Sequence, residues 1–237
     1  MFTFRYLLCY NKCTTNSKLQ ELLMDQTIIN DAIDFVRSIF KDDFSGHDYY
    51  HTLRVYKLAT RIAEQEHADV LTVQLAALLH DVDDIKLSPQ TYANKDNAVA
   101  FLKKHGVTDE MIKTVCEIIG EVSFRGTDSV VPKTIEGKCV QDADRLDAIG
   151  AIGIARTFAF GGNHNQAIHD PEIKPLLNMS ASQYRNHVST TLNHFYEKLF
   201  LLADMMNTAT AKEIARQRHE YMQGYVAEFL AEWDGVR

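Results

Sequence analysis

His80-Asp81 closes an apolar run, Leu71-Thr72-Val73-Gln74-Leu75-Ala76-Ala77-Leu78-Leu79. An imidazole and a carboxylate at the end of a buried segment need a partner, because an unpaired buried charge costs several kcal/mol. A divalent ion would satisfy both groups at once; a solvated helix end would also carry such a pair. Two more residues extend the pattern, His51 upstream and Asp144 downstream. Two neutral imidazoles and two carboxylates make a mixed nitrogen and oxygen donor set, suited to Mn²⁺, Fe²⁺, Co²⁺ or Ni²⁺. Four such donors leave room on an octahedral ion for water or a phosphate oxygen, as a catalytic site requires. A tetrahedral zinc site fits less well.

The helices that would carry these residues can be read from apolar periodicity. Successive helical residues differ by about 100° in direction, so His80 and Asp81 can reach one ion only where a helix ends. Ser88-Pro89 marks a loop soon after. Helices are expected over residues 26–40, 48–66 and 69–81, with Asp69 as the N-cap of the third. Others are expected at 93–105, 108–120, from Pro132 toward Gln141, 143–160, 182–203 and 206–230. Asp142 reads as a helix-start residue, and Asp144 opens the 143–160 run. The stretch 161–180 reads as a long irregular loop, and such loops are often functional. No segment alternates like a strand. The expected fold is all-α: one helical bundle over residues 25–237 with the metal site between helices. Residues 1–24 read as a poorly defined N-terminal extension, loop-like over Asn11–Ser17, with Met24 an alternative start. Tyr184, Phe195, Tyr196, Phe200, Tyr221, Tyr225 and Phe229 fall at near-helical spacing and read as core packing.

Composition excludes several classes. A chain of 237 residues, 46% hydrophobic, can build one core without staples. A net charge of −7 with no basic cluster argues against duplex nucleic acid as a partner. No stretch of about 18 apolar residues predicts a membrane span. Cys9, Cys13, Cys116 and Cys139 lack the paired spacing of a structural zinc site, and this usage suits a reducing cytoplasm. A homo-oligomer is left open.

Three segments resemble one family. They are Gly46-His47-Asp48-Tyr49-Tyr50-His51-Thr52-Leu53-Arg54-Val55, then Leu75-Ala76-Ala77-Leu78-Leu79-His80-Asp81, then Ala143-Asp144-Arg145-Leu146-Asp147-Ala148. In this order they resemble the HD-domain metal-dependent phosphohydrolases. The phrase from Val140 to Arg156 is similar to the bacterial YpgQ-like subgroup of nucleotide pyrophosphohydrolases. The resemblance implies His51, His80, Asp81 and Asp144 as ligands of one divalent ion, with Mn²⁺ favoured and Co²⁺, Ni²⁺, Fe²⁺ or Mg²⁺ as alternatives. It also implies a small-molecule nucleotide substrate, and hydrolysis of a (d)NTP to the monophosphate and pyrophosphate. Phosphomonoester or cyclic-nucleotide cleavage is the alternative chemistry. A non-catalytic nucleotide-binding regulatory module is the alternative of another class. Asp147, one turn beyond Asp144, is either a rival fourth ligand or a supporting partner. By position in related hydrolases Asp84 would handle the attacking water, with Asp83 as its rival. Arg54, Arg145 and His47 lie near the ligands in sequence and are candidates to hold the phosphates; Lys86 and Arg125 lie in flanking loops.

Overall fold

A computed structural model of the protein describes residues 3–41, 48–85, 88–124, 126 and 128–237, except for the side chains of 3–18, 21, 22, 181, 185 and 186. Among the described residues there are ten α-helices, one π-helical turn and no β-strand. The helices are α1 (Thr3–Ile39), α2 (Tyr49–Gln65), α3 (Val70–Leu79), α4 (Asp96–Lys104), α5 (Asp109–Val122), α6 (Ile135–Asp147) and α7 (Gly150–Asn163). They continue as α8 (Ala181–Asn186), the π-helical turn Phe195–Leu199, α9 (Phe200–Asp204) and α10 (Ala209–Trp233).

α3 is the central rod. Its sequence, Val-Leu-Thr-Val-Gln-Leu-Ala-Ala-Leu-Leu, is apolar on nearly every side, which is the pattern of a helix enclosed all round. Leu75, Ala76, Ala77, Leu78 and Leu79 are wholly buried. Each buried leucine contributes about 1.5–3 kcal/mol. Asp69 caps α3 as expected, accepting a hydrogen bond from Thr72 N at 2.8 Å. α2 packs against both α3 and α6, while α5 lies against α3 and α6. α10 closes the far side against α7, α9 and α6. α1, α2, α5 and α6 therefore all pack on α3.

Several boundaries differ from the sequence reading. α1 runs unbroken from Thr3 through the Asn11–Ser17 stretch and across residue 24. That stretch is rich in weak helix formers but contains no Pro or Gly, so nothing in it stops a helix. Among the described side chains of α1, burial in the core begins at Ile28. The run Asp42-Asp43-Phe44-Ser45-Gly46, whose composition is expected to break the helix after residue 40, lies outside the described residues. The helix expected from Pro132 begins at Ile135 instead, because Thr134 supplies the cap by accepting from Gly137 N. It then continues to Asp147, so Asp144 sits in its last turn rather than at the start of a new helix. The expected 143–160 helix is interrupted at Ala148-Ile149, where Gly150 adopts φ +77°. A β-carbon there would meet Arg218 Cγ at 2.9 Å, so Gly150 serves both the turn and the close approach. The expected 182–203 helix is three pieces, with residues 187–192 irregular or in turn between α8 and the segment that leads into the π-helical turn.

Asp142 is not a helix-start residue. It is fully buried, and its carboxylate accepts from the backbone N–H of Asn207 and Thr208 and from their side chains at 2.7–2.9 Å. It thus binds α6 to the N-terminus of α10, where a negative charge is favoured. Among the described cysteines, Cys116 and Cys139 are free thiols. No helix among the described residues is long and apolar enough to cross a membrane.

Candidate metal centre

The end of α3 decides how two adjacent side chains converge. The helix stops at Leu79, His80 is its C-cap, and the chain turns through Asp81, Val82 and Asp83. Asp84 N then donates to the Asp81 carbonyl at 3.0 Å, fixing the turn. From α2 comes His51, in the first turn of a helix capped by Asp48, whose carboxylate accepts from His51 N at 2.6 Å. From the last turn of α6 comes Asp144.

These four side chains meet. One ligand atom from each of His51, His80 and Asp81 lies within 4.8 Å of the others. His80 Nε2 is 3.1 Å from Asp81 Oδ2, and His51 Nε2 is 3.5 Å from the same oxygen. Asp144 Oδ1 is 3.4 Å from His51 Nε2 and 4.0 Å from His80 Nε2. The two histidines and Asp81 are buried, whereas the Asp144 side chain is 25% exposed. The cluster is closed by protein on the α2 and α3 sides and opens to solvent beside Asp144.

Both imidazoles are oriented from behind. His80 Nδ1 is 2.8 Å from the Ala77 carbonyl, which can only accept, so Nδ1 carries the proton. His51 Nδ1 donates likewise to Asp147 Oδ2 at 2.7 Å. Each ring therefore presents Nε2 to the two carboxylates, as ligating histidines do. His80 Nε2 is buried without a hydrogen-bond partner, despite the nearby Asp81 oxygen. Burial alone would make the His80 imidazole less basic. The negative charges of Asp81 and Asp144, with the Ala77 carbonyl behind the ring, override this and raise its pKa to about 9. The two carboxylates thus pull a positive charge toward the Nε2 atoms. Two buried imidazole nitrogens and two carboxylates fit a divalent ion of intermediate softness.

Asp147 stands behind His51 rather than beside Asp144. Its carboxylate accepts from His51, from Arg54 Nε at 2.6 Å and Nη2 at 3.0 Å, and from Arg156 Nη1 at 2.8 Å. Burial would raise its pKa, but the bonds from His51 and Arg54 hold it well below the usual carboxylate range. Arg54 is therefore bound bidentately to Asp147, with its side chain 32% exposed. Arg145 is turned into the interior, 3% exposed, with Nη1 donating to the Met205 carbonyl. Asp83 is buried as well, and its two oxygens accept from Asn97 N and Ala98 N at the start of α4. Asp84 is half-buried beside Asp81. His47, Lys86 and Arg125 lie outside the described residues. Sequence reasoning missed Arg156 and Arg218. Arg156 comes from the next helix and folds back across the α6–α7 break, and Arg218 reaches the Leu146 carbonyl from α10. Neither has a spacing signal, because both arrive through the tertiary fold.

Comparison with known proteins agrees with this architecture. Residues 48–149 match the HD domain family model. The chain is 40% identical to Bacillus subtilis YpgQ over 204 residues, spanning 85% of this chain and 92% of YpgQ. The crystal structure of YpgQ in complex with ADP superposes with a TM-score of 0.68 at 38% identity, covering 86% of this chain and all of that one. An HD-superfamily hydrolase from Bacillus thuringiensis gives 0.71 at 43% identity, covering 89% and 98%. A Lactobacillus plantarum protein gives 0.79 at 39%, covering 88% and 98%. With its helical fold, its histidine and aspartate cluster and these relatives, the chain belongs to the HD-domain family and is a metal-dependent phosphohydrolase.

Proposed function

We propose that the protein hydrolyses nucleoside triphosphates, (d)NTP, to the monophosphate and pyrophosphate, with Mn²⁺ as the working ion. The observation that carries this reading is the donor cluster itself, in which His51, His80 and Asp81 are buried and Asp144 is the most exposed of the four. The opening beside Asp144 gives a phosphate oxygen access to the same ion the side chains hold. The ADP bound in the YpgQ crystal supports a nucleotide ligand.

In this reading His51, His80, Asp81 and Asp144 hold the ion. When bound, it would acidify a water and neutralise charge on a phosphoryl oxygen. Asp84 is assigned to the attacking water: its backbone is locked to Asp81 and its carboxylate is half-buried at the same turn. The water oxygen bonds to the α-phosphorus, the bond from that phosphorus to the bridging oxygen breaks, and pyrophosphate leaves with that oxygen. Asp83 is set aside because the start of α4 uses both its oxygens. Arg54 contacts phosphate in this scheme through the exposed part of its guanidinium, while Asp147 fixes its other edge. His47 keeps the phosphate-contacting role that its spacing from His51 suggests. Arg145 is better assigned to holding the chain at Met205. The free thiols Cys116 and Cys139 favour a cytoplasmic setting.

Product analysis tests the reading. A panel of nucleotides with Mn²⁺, Co²⁺, Ni²⁺ and Mg²⁺ should release pyrophosphate, and Asp81→Ala should abolish turnover while keeping its helical circular dichroism. Orthophosphate as the sole inorganic product would make the protein a phosphomonoesterase. Opening of a cyclic diester would make it a phosphodiesterase. Calorimetric binding without turnover would make it a regulatory module.

A further inference from the structure

Asp144 and Asp147 share the last turn of α6. The first faces the two histidines, and the second orients His51 from behind. Whatever holds that turn therefore sets two carboxylates of the metal centre at once. A helix end needs outside support, because its last four carbonyls find no partner further along the helix. Here Ala148 N and Ile149 N tighten the end by donating to the Arg145 and Leu146 carbonyls, each at 3.2 Å. The chain then leaves the helix, with Ile149 extended.

Two guanidinium groups complete the support. Arg156 donates to the Asp147 carbonyl at 3.3 Å as well as to its carboxylate. Arg218 of α10 donates through Nη1 to the Leu146 carbonyl. Cations are favoured at a helix C-terminus, so both act on the helix dipole as well as on one oxygen. Arg156 is tied to α6 through the short break at Ala148-Ile149, whereas Arg218 comes from a separate part of the chain. α10 also holds α6 at Asp142, whose carboxylate accepts from Asn207 and Thr208 at the entry to α10. Asp142 and Leu146 are four residues apart and so lie on one side of α6, while Asp144 is turned about 200° from Asp142. α10 thus grips α6 from the side turned away from Asp144.

Arg218 is costly where it stands. Burial holds its guanidinium pKa below the ordinary value; the Asp147 charge opposes this, and Arg61 adds to it. Among the described residues Arg218 forms no ion pair, and its hydrogen bond goes to the Leu146 carbonyl. A neutral side chain of similar length would fill the same space without the cost of burying a charge. What the guanidinium adds is its hold on α6. Gly150 makes room for it: a β-carbon there would meet Arg218 Cγ at 2.9 Å, and its Cβ and Cδ at 3.2 Å. Those atoms belong to the stem, which the backbone of α10 fixes, rather than to the mobile tip.

We propose that Arg218 is a positioning residue for the metal centre: from α10 it fixes the last turn of α6, and through that turn the places of Asp144 and Asp147. It hydrogen-bonds none of the four donors and acts only through the backbone that carries one of them. The proposal rests on the four-donor metal reading above and on no particular substrate. It ties metal affinity to the packing of α10, a helix that contributes no residue to the donor cluster.

Three full-length variants test it. Mn²⁺ affinity is read by calorimetry well below the melting temperature, so that lost stability alone does not move it, and thermal unfolding in chelator is read alongside. Arg218→Met keeps the stem and removes the charge; it should weaken Mn²⁺ binding about tenfold. Arg218→Lys returns the charge and a donor, and should restore affinity to within about threefold of the wild type. Gly150→Ala displaces the Arg218 stem while leaving every donor and Arg218 itself unaltered, and should also weaken binding. Affinity in Arg218→Met within about twofold of the wild type would overturn the proposal and leave Arg218 a packing residue, whatever its melting temperature. A loss in Arg218→Lys equal to that in Arg218→Met would overturn the role given to the charge. Should Arg218→Met fail to fold, Gly150→Ala decides: unchanged affinity overturns the proposal, and weakened affinity supports it. A wild type that binds none of Mn²⁺, Co²⁺ and Ni²⁺ would overturn the metal reading, and the proposal with it.

Discussion

Asp147→Asn is the sharpest perturbation of the metal centre that leaves its four donors in place. The side chain keeps its shape but loses its charge, and one of its oxygens becomes an amide donor. Four hydrogen bonds converge on the native carboxylate, from His51, twice from Arg54 and from Arg156. The first sets which His51 nitrogen faces the other donors. Losing such a support typically weakens metal affinity about 10–100-fold, or about 1.4–2.8 kcal/mol. The stability cost is smaller than four charged bonds would suggest, because the Arg54 side chain is 32% exposed and that of Arg156 is 22% exposed. Water can replace part of what the guanidinium groups lose, leaving about 1–3 kcal/mol. The assay is Mn²⁺ calorimetry on both proteins, with thermal unfolding in chelator as the control for folding. Acid gives an independent check. The folded carboxyl is held below its unfolded value, so its contribution is complete above about pH 4 and is lost as pH falls lower. The acid arm of the wild-type stability curve should therefore flatten in the variant. Mn²⁺ affinity unchanged within about twofold would refute the reasoning, since His51 would then hold its orientation without Asp147.

Other outcomes follow from the same structure. Asp84→Asn should lose turnover about 100-fold or more while Mn²⁺ affinity stays; Asp83→Ala should instead lower the melting temperature, because two N–H groups of α4 lose their acceptor. Asp142→Ala should cost about 2–4 kcal/mol in urea unfolding, since Asn207 and Thr208 at the entry to α10 lose their acceptor and buried donors are left unpaired. Burial drives the Cys139 thiol up to about 12, so an aromatic disulfide reagent at pH 8 should leave it unmodified until denaturant is added. Saturating Mn²⁺ at about 100 times Kd should stabilise the fold by about 2.7 kcal/mol, read as a rise in melting temperature that chelator reverses.

The chemistry-bearing residues were legible because each is tied to a local signal. His80-Asp81 ends an apolar helix, and Asp69 caps its start, so the turn that lets adjacent side chains converge could be anticipated from spacing. The all-helical character followed from period 3.6 repeats with few breakers. What local signals could not decide was what lies opposite what. Asp142, Asp144 and Asp147 share six residues of α6, yet one holds the entry to α10 at Asn207 and Thr208, one opens to solvent beside the histidines and one anchors His51 from behind. Helix rotation separates their directions, but only the packing of α2, α10 and α7 around α6 assigns each direction a partner. Arg145 illustrates the same limit: adjacent to Asp144 in sequence, it points inward to Met205. The boundary errors share that origin, because the break at Gly150 is set by the space Arg218 needs, and Arg218 comes from a helix more than sixty residues away. The sequence by itself determined the donor types and the helices that carry the two histidines, but not the one that carries Asp144. Only the tertiary structure decided which carboxylate faces the cluster, which ones support it and where it opens, because those are properties of contacts between helices.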